Sequence, residues 1–193
     1  MSQEYQRNPA VRVLASEINK ADYHFQETDD DRAPNFLLLP SGGKANRVMM
    51  GGTVLSVEDT SSGGGSPFWK ATIEDPTGKF MVFAGQYQPE AASVLQMIAN
   101  SDDKPPAFVH VVGKTKEYRP EDDEGEVIVN IRPEDIAIVD EQQKRNWLHE
   151  TAEKTVERLE KTEGDYVRQS EERYGDRVTL LKSDVQDVLE SLE

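Results

Sequence analysis

Between residues 68 and 87, aromatic rings and ammonium groups fall where strand alternation throws them to one side. In the run 68–74, Trp69, Ala71 and Ile73 share one face and Phe68, Lys70 and Thr72 the other. In the run 80–87, Phe80, Val82 and Ala84 point one way, while Lys79, Met81, Phe83 and Gly85 point the other. Exposed rings beside cations suit a ligand of flat π-faces strung on phosphates. Each base stacked on a ring is worth ~1–3 kcal/mol, and Lys follows the backbone charge. Lys114, Lys116, Tyr118 and Arg119 extend such a track at one end, and Lys44 and Arg47 at the other. The same residues also suit a plainer role, in which Phe68 and Phe83 pack beneath amphipathic segments of the chain itself, because an uncovered apolar patch is costly.

Other chemistry is sparse. The chain has no Cys, which excludes disulfides, thiol nucleophiles and thiolate-held zinc. His24, His110 and His149 are scattered, and no phosphate-binding loop, nucleophile elbow, His metal motif or dinucleotide fingerprint occurs. Glu74-Asp75 and the acidic triplets have the ligand type for Mg²⁺, but an acid-rich chain produces such neighbours by chance. The expectation is a protein with no catalysis, no metal and no cofactor. A metal-dependent hydrolase is the remote alternative.

Five β-like runs must position the candidate face: 47–57, 68–74, 80–87, 107–118 and 126–139, with a helical insert at 89–100. Five strands with a helix between the third and fourth is the order of an OB-fold, a partly open barrel that binds oligonucleotides or oligosaccharides on one face. Gly51-Gly52 predicts a bend in the first strand, and Asp75-Pro76-Thr77-Gly78 a hairpin turn between the second and third. The loops 60–67 (TSSGGGSP) and 119–125 (RPEDDEG) are the expected flanks of the ligand groove.

Around this domain (44–140) lie two appendages. In residues 1–43, Asn8-Pro9 predicts the start of a helix carrying Val11, Leu14, Ala15 and Ile18 on one stripe, followed by a short extended run at Phe36–Leu39; the section reads as a strap over the barrel. Residues 141–193 read as helical. From 142 to 164, Leu148, Ala152, Thr155, Leu159 and Thr162 keep a seven-residue rhythm, widened by Trp147 and Val156. Arg158 and Lys161 fall on its wet side. A last short helix is expected near Ser183, with a Ser183/Gln186 capping box and Val185, Val188, Leu189 and Leu192 inward.

With 37 acidic against 22 basic residues, the net charge is −15. Such a balance opposes phosphate binding, unless it reflects a salt-rich cytoplasm, where repulsion is screened within about 3 Å at molar salt. The latter, halophilic reading is preferred. Residues 44–120 carry as many basic as acidic groups, so the barrel through its fourth strand is spared the acid load. The acidic loop Glu121-Asp122-Asp123-Glu124 reads as solvated. No apolar stretch is long enough to span a bilayer, and the first residues lack a signal-peptide core, so the expected location is cytoplasmic.

The run from Trp69 to Gly78, the run Phe80-Met81-Val82-Phe83-Ala84-Gly85-Gln86-Tyr87 continuing to Gln88-Pro89-Glu90, Val111-Val112-Gly113-Lys114 and Ile131-Arg132-Pro133-Glu134 together resemble the replication protein A family, in particular its haloarchaeal associated proteins. The resemblance covers roughly residues 8–165. It implies an accessory subunit of a single-stranded-DNA-binding complex in replication, repair and recombination. It also implies a helix that docks the large subunit, which places Trp147, Leu148, Ala152, Val156 and Leu159 at that interface. The alternative is an OB-fold module that binds only protein.

Overall fold

One long strand serves two neighbours in turn, and a glycine pair at its middle permits it. In the computed structural model, which describes residues 7–102, 106–122 and 125–193, the chain runs β1 (Ala10–Arg12), α1 (Ala15–Lys20), β2 (His24–Phe25), β3 (Phe36–Leu38), β4 (Lys44–Ala45), β5 (Arg47–Asp59), β6 (Trp69–Asp75), β7 (Gly78–Ala84), α2 (Pro89–Ala99), β8 (Phe108–Tyr118), β9 (Ile128–Val139), α3 (Glu141–Leu159), α4 (Asp165–Tyr174) and α5 (Asp176–Leu192). Residues 1–6 and Asp123-Glu124 of the acidic loop lie outside the described residues. Arg47 to Thr53 of β5 pair with β8, and Thr53 to Asp59 with β6. At Gly52 a Cβ would sit 2.2 Å from the Glu74 carbonyl oxygen, so the bend tolerates no side chain. A bulge follows between Val54 and Ser56.

The strand order β5-β6-β7-β9-β8, closed by β8 on β5, makes a five-stranded barrel with α2 inserted between its third and fourth strands. This is the OB-fold expected from the run order. Alternation falls as read: Ala71, Ile73, Phe80, Val82 and Ala84 are buried, joined by Val109, Val111, Val129 and Ile131 from the facing strands. Trp69 is only half-buried, at the edge of this core.

The N-terminal section departs from expectation. Asn8-Pro9 starts no helix; Ala10–Arg12 instead lies parallel to β5, with Ala10 opposite Arg47. Backbone pairing along that strand outweighs local helix preference, which is a weak prior. The helix is the six-residue α1, and its first amides are satisfied by the β6–β7 turn. Asp75 accepts from the Ala15 N–H at 2.7 Å and Thr77 Oγ1 from the Ser16 N–H at 2.9 Å. The Phe36–Leu39 run is buried as the middle strand of a small sheet, β2-β3-β4.

At the other end, Asp140 and Gln143 form a reciprocal capping box that starts α3. The helix stops at Leu159, short of 164. Then comes α4, which no sequence pattern announced, and α5, which begins at Asp176, so Ser183 is interior and caps nothing. Trp147, Leu148 and Ala152 are buried against Leu14, Leu181, Val185 and Val188, with Val156 and Leu159 packed alongside. The apolar stripe assigned to the large subunit is therefore used by the chain's own α5. A heptad rhythm locates a stripe but does not say what covers it. The outward positions of α3, including Gln142, Asn146, Glu150 and Glu153, are polar.

Arg158 is likewise not on a wet side. Its guanidinium meets the buried Glu17 carboxylate at 2.8 Å, the Ser41 hydroxyl at 2.9 Å and the Arg12 carbonyl at 3.0 Å. Ser41 Oγ also donates to Glu17. One residue of α3 thus fastens β1, α1 and the turn after β3.

Candidate nucleic-acid interface

Between the β5–β6 loop and the β8–β9 loop, the outer face of the barrel is an open groove of about 1040 Å³. Neither the N-terminal section nor the terminal helices contribute to its walls. Its lining includes Phe68, Lys70, Met81 and Phe83 from the hairpin, Lys116 and Tyr118 from β8, and Asn130 and Arg132 from β9. Phe68 and Phe83 stack with centroids 5.9 Å apart and planes at 26°.

Local backbone geometry holds the first of these rings. The Phe68 carbonyl accepts from the Thr60 N–H at 2.8 Å, and its own N–H donates to Asp59 Oδ1 at 3.1 Å. Hydrogen bonds from the Ser61 hydroxyl and N–H, and from the Phe68 N–H, hold the exposed Asp59 carboxyl below its usual range. The ring then lies over Gly85, where a Cβ would come 2.8 Å from its Cδ2, so Gly85 is needed for this close approach. Phe68 remains 43% exposed, Tyr118 51% and Tyr87 84%. These rings face solvent and are not covered by the chain's own helices.

Pairing across strands sets the order of groups on the face. Lys70 is opposite Phe83 and Thr72 opposite Met81. Val82 pairs with Ile131, which brings Met81 and Phe83 beside Asn130 and Arg132. Asn130 is opposite Lys116, and Arg132 opposite Lys114. Among the described residues, Lys70, Lys116 and Arg132 form no ion pair. Glu117 is the acidic residue of the lining, and its charge is met by Arg119 at 2.6 Å.

Of the residues singled out from sequence, Phe68, Lys70, Met81, Phe83, Lys116 and Tyr118 come together here. Lys79 lies by the hairpin turn, where Asn19 donates to its carbonyl. Lys114 and Arg119 stand outside the lining. Of the proposed extensions, Arg47 is tied to Glu134 at 2.6 Å and Lys44 lies over the Phe36 ring at 4.3 Å, so both serve the fold. Sequence reasoning missed Tyr87, Asn130 and Arg132. For the last two the signal was present, because they alternate with the inward Val129 and Ile131. Tyr87 lies beyond β7, where alternation has no say.

Behind the groove wall, His24 Nε2 lies 3.2 Å from Thr115 Oγ1 and His24 Nδ1 3.4 Å from Glu117. Burial pushes this imidazole below its ordinary 6.5, against the pull of Glu117. Burial, reinforced by Arg12, does the same to His110. Both rings stay neutral in the fold while the unfolded chain takes up protons as pH drops beneath 6.5. Their contribution is full above that value and is lost as pH falls through the folded-state values. Thermal midpoints should therefore decline from pH 7.5 to pH 5, and the decline should be shallower in His24→Gln. Parallel curves for the two proteins would contradict the assignment.

Among the described residues, no group of three or more His, Asp or Glu side chains could hold a metal ion, and no helix is long and apolar enough to cross a membrane. No family model matches the chain, and no curated protein matches it. Solved structures do. One from the crystal structure of yeast Stn1 and Ten1 aligns over 90% of this chain and 86% of its own, with 14% identity and a TM-score of 0.52. The N-terminal domain of PriB from Thermoanaerobacter tencongensis covers 50% of this chain and 98% of its own, at 17% identity and a TM-score of 0.34. An OBody bound to hen egg-white lysozyme covers 50% and 97%, at 15% identity and a TM-score of 0.37. The likeness to the yeast chain extends past the barrel into the flanking helices and is a likeness of fold.

Proposed function

We propose that this chain is a non-catalytic accessory subunit of a replication-protein-A-like complex, and that its groove holds single-stranded DNA. The observation that carries the reading is a set of three cations, Lys70, Lys116 and Arg132, that form no ion pair among the described residues and lie around a stacked ring pair in a chain whose net charge is −15. Surplus carboxylates surround them in sequence, yet no described carboxylate is paired with them where bases would stack. The resemblance to the replication protein A family in the hairpin and the following run supports the reading. So does the fold shared with a chain from a structure that contains two proteins, Stn1 and Ten1.

The large subunit docks on a surface other than the Trp147–Leu159 stripe, which the chain itself occupies. We also infer a salt-rich cytoplasm as its setting. There stacking, which salt does not screen, carries more of the affinity than phosphate contacts.

Titration of a fluorescently labelled thymidine oligomer at several salt concentrations tests the reading. With about 0.7 counterions released per neutralised phosphate on single strands, three cations predict a log–log slope of about −2. Absence of binding at low salt with tens of micromolar protein would overturn nucleic-acid contact and leave an OB-fold scaffold that binds only protein.

A further inference from the structure

Tyr23, Tyr166 and Tyr174 all have partners within the chain: Tyr23 stacks on Phe25, Tyr166 meets Phe25 and Lys44, and Arg177 lies over Tyr174. Among the described residues Tyr87 and Tyr118 have no ring or cation partner, and both line the groove. Tyr87 is the extreme case, at 84% exposure. A bare ring on a loose loop would call for no explanation. The turn that carries Tyr87 is not loose. It is closed twice, because the Gln88 N–H donates to the Gly85 carbonyl at 3.0 Å and the Gly85 N–H donates to Gln88 Oε1 at 3.0 Å. Gln88 also stands immediately before α2, yet its side chain gives that helix no cap. The chain forgoes a capping side chain at this position and uses the carboxamide to fix the turn. Pro89 at the start of the helix stiffens the exit. The turn is anchored to the ring pair as well, since the Phe68 ring lies against Gly85. Two residues of chain reach at most about 7 Å, so the Tyr87 backbone stands within that distance of the residue beneath Phe68. One nucleotide of an extended strand bridges such a gap.

We propose that Tyr87 is a separate stacking position for single-stranded DNA, holding one base beyond the Phe68–Phe83 platform, so that the strand leaves the barrel face past the start of α2. The ring carries no charge, so it adds affinity that salt does not screen and that every base can use. Gln88 is then a positioning residue, which holds the ring out from the turn. The inference rests on the groove binding single strands, and its test separates the two claims.

The measurement is a fluorescence-anisotropy titration of the full chain with labelled thymidine oligomers of about 4 to 16 nucleotides, the range of site sizes on such barrels, at one salt concentration. Affinity of the parent chain should rise with length to a plateau. Tyr87→Ala should weaken the plateau about fivefold or more, the effect of losing one stacked base. The shortest oligomer that binds can seat on the ring pair without reaching residue 87, so the variant should bind it as the parent does. Tyr87→Phe keeps the ring and should match the parent at every length. Tyr87→Trp adds a reporter, whose emission should be quenched by plateau-length oligomers and not by the shortest one. Thermal melts of the variants should match that of the parent, because the side chain is 84% exposed. Equal affinity of parent and Tyr87→Ala at every length would overturn the stacking position and leave groove binding intact. A loss of the same size at every length would overturn it too, by showing that Tyr87 supports the ring pair and holds no base of its own. Failure of the parent chain to bind any oligomer would overturn both claims.

Discussion

Arg158→Met should lower the unfolding free energy by about 3–5 kcal/mol, the cost of stranding a buried charge by removing its partner. Methionine keeps the apolar stem of the arginine in place, so the loss isolates the guanidinium. Glu17 is fully buried and Arg158 side-chain exposure is only 15%, so solvent offers the carboxylate little relief. At ~2–4 °C per kcal/mol for a chain of this size, the melting midpoint should drop by roughly 10 °C. Arg158→Lys should fall between parent and Met, because an ammonium cannot reach Glu17, Ser41 and the Arg12 carbonyl with one planar fork. The double variant Glu17→Met/Arg158→Met should recover part of the loss, since the charge to be solvated is gone. A single-variant loss below about 1 kcal/mol, measured by urea unfolding, would show that this pair does not hold α3 to β1, α1 and the turn after β3.

That pair also marks where sequence reading stops. Barrel strands could be read because each buries alternate residues against one shared interior, and alternation is a local property. Ala71, Ile73, Phe80, Val82 and Ala84 fell inside for that reason. Gly51-Gly52 announced a bend because nothing larger fits the crossing. The appendages were harder, because their structure depends on distant partners. Ala10–Arg12 becomes a strand only because β5 offers it an edge. Trp147 and Leu148 look like a docking surface until α5 covers them. Arg158 looks like a surface charge until Glu17, 141 residues earlier, is found beside it.

The candidate site shows the same division. Phe68, Lys70, Met81 and Phe83 were legible from one hairpin. Lys79 and Lys114 share the alternation but not the groove, because position along a strand decides which part of a face lies between the loops. The outward side of Asn130 and Arg132 shows in the alternation of β9, but that β9 lies beside the hairpin rests on the parallel pair Val82 with Ile131. A pairing between strands so far apart in the chain is not visible in the periodicity of either.

The double variant Phe68→Ala/Phe83→Ala should weaken binding of a thymidine oligomer by about 30-fold or more, the lower end of ~1–3 kcal/mol for each stacked base lost. The salt slope should stay near its parent value, because Lys70, Lys116 and Arg132 are untouched. Replacing those three by Ala should do the reverse, flattening the slope toward zero while leaving stacking in place. Stability should change little in the ring variant, since Phe68 is 43% exposed and Phe83 lies on the outward face. Gly85→Val gives an independent check: its side chain would occupy the space of the Phe68 ring, so affinity should fall without any ring being removed. If the double variant binds as tightly as the parent at every salt concentration, the rings are not the stacking platform. A slope that collapses along with affinity would instead mean that the rings only hold the cations in place. The two readouts therefore separate contact with bases from contact with phosphates.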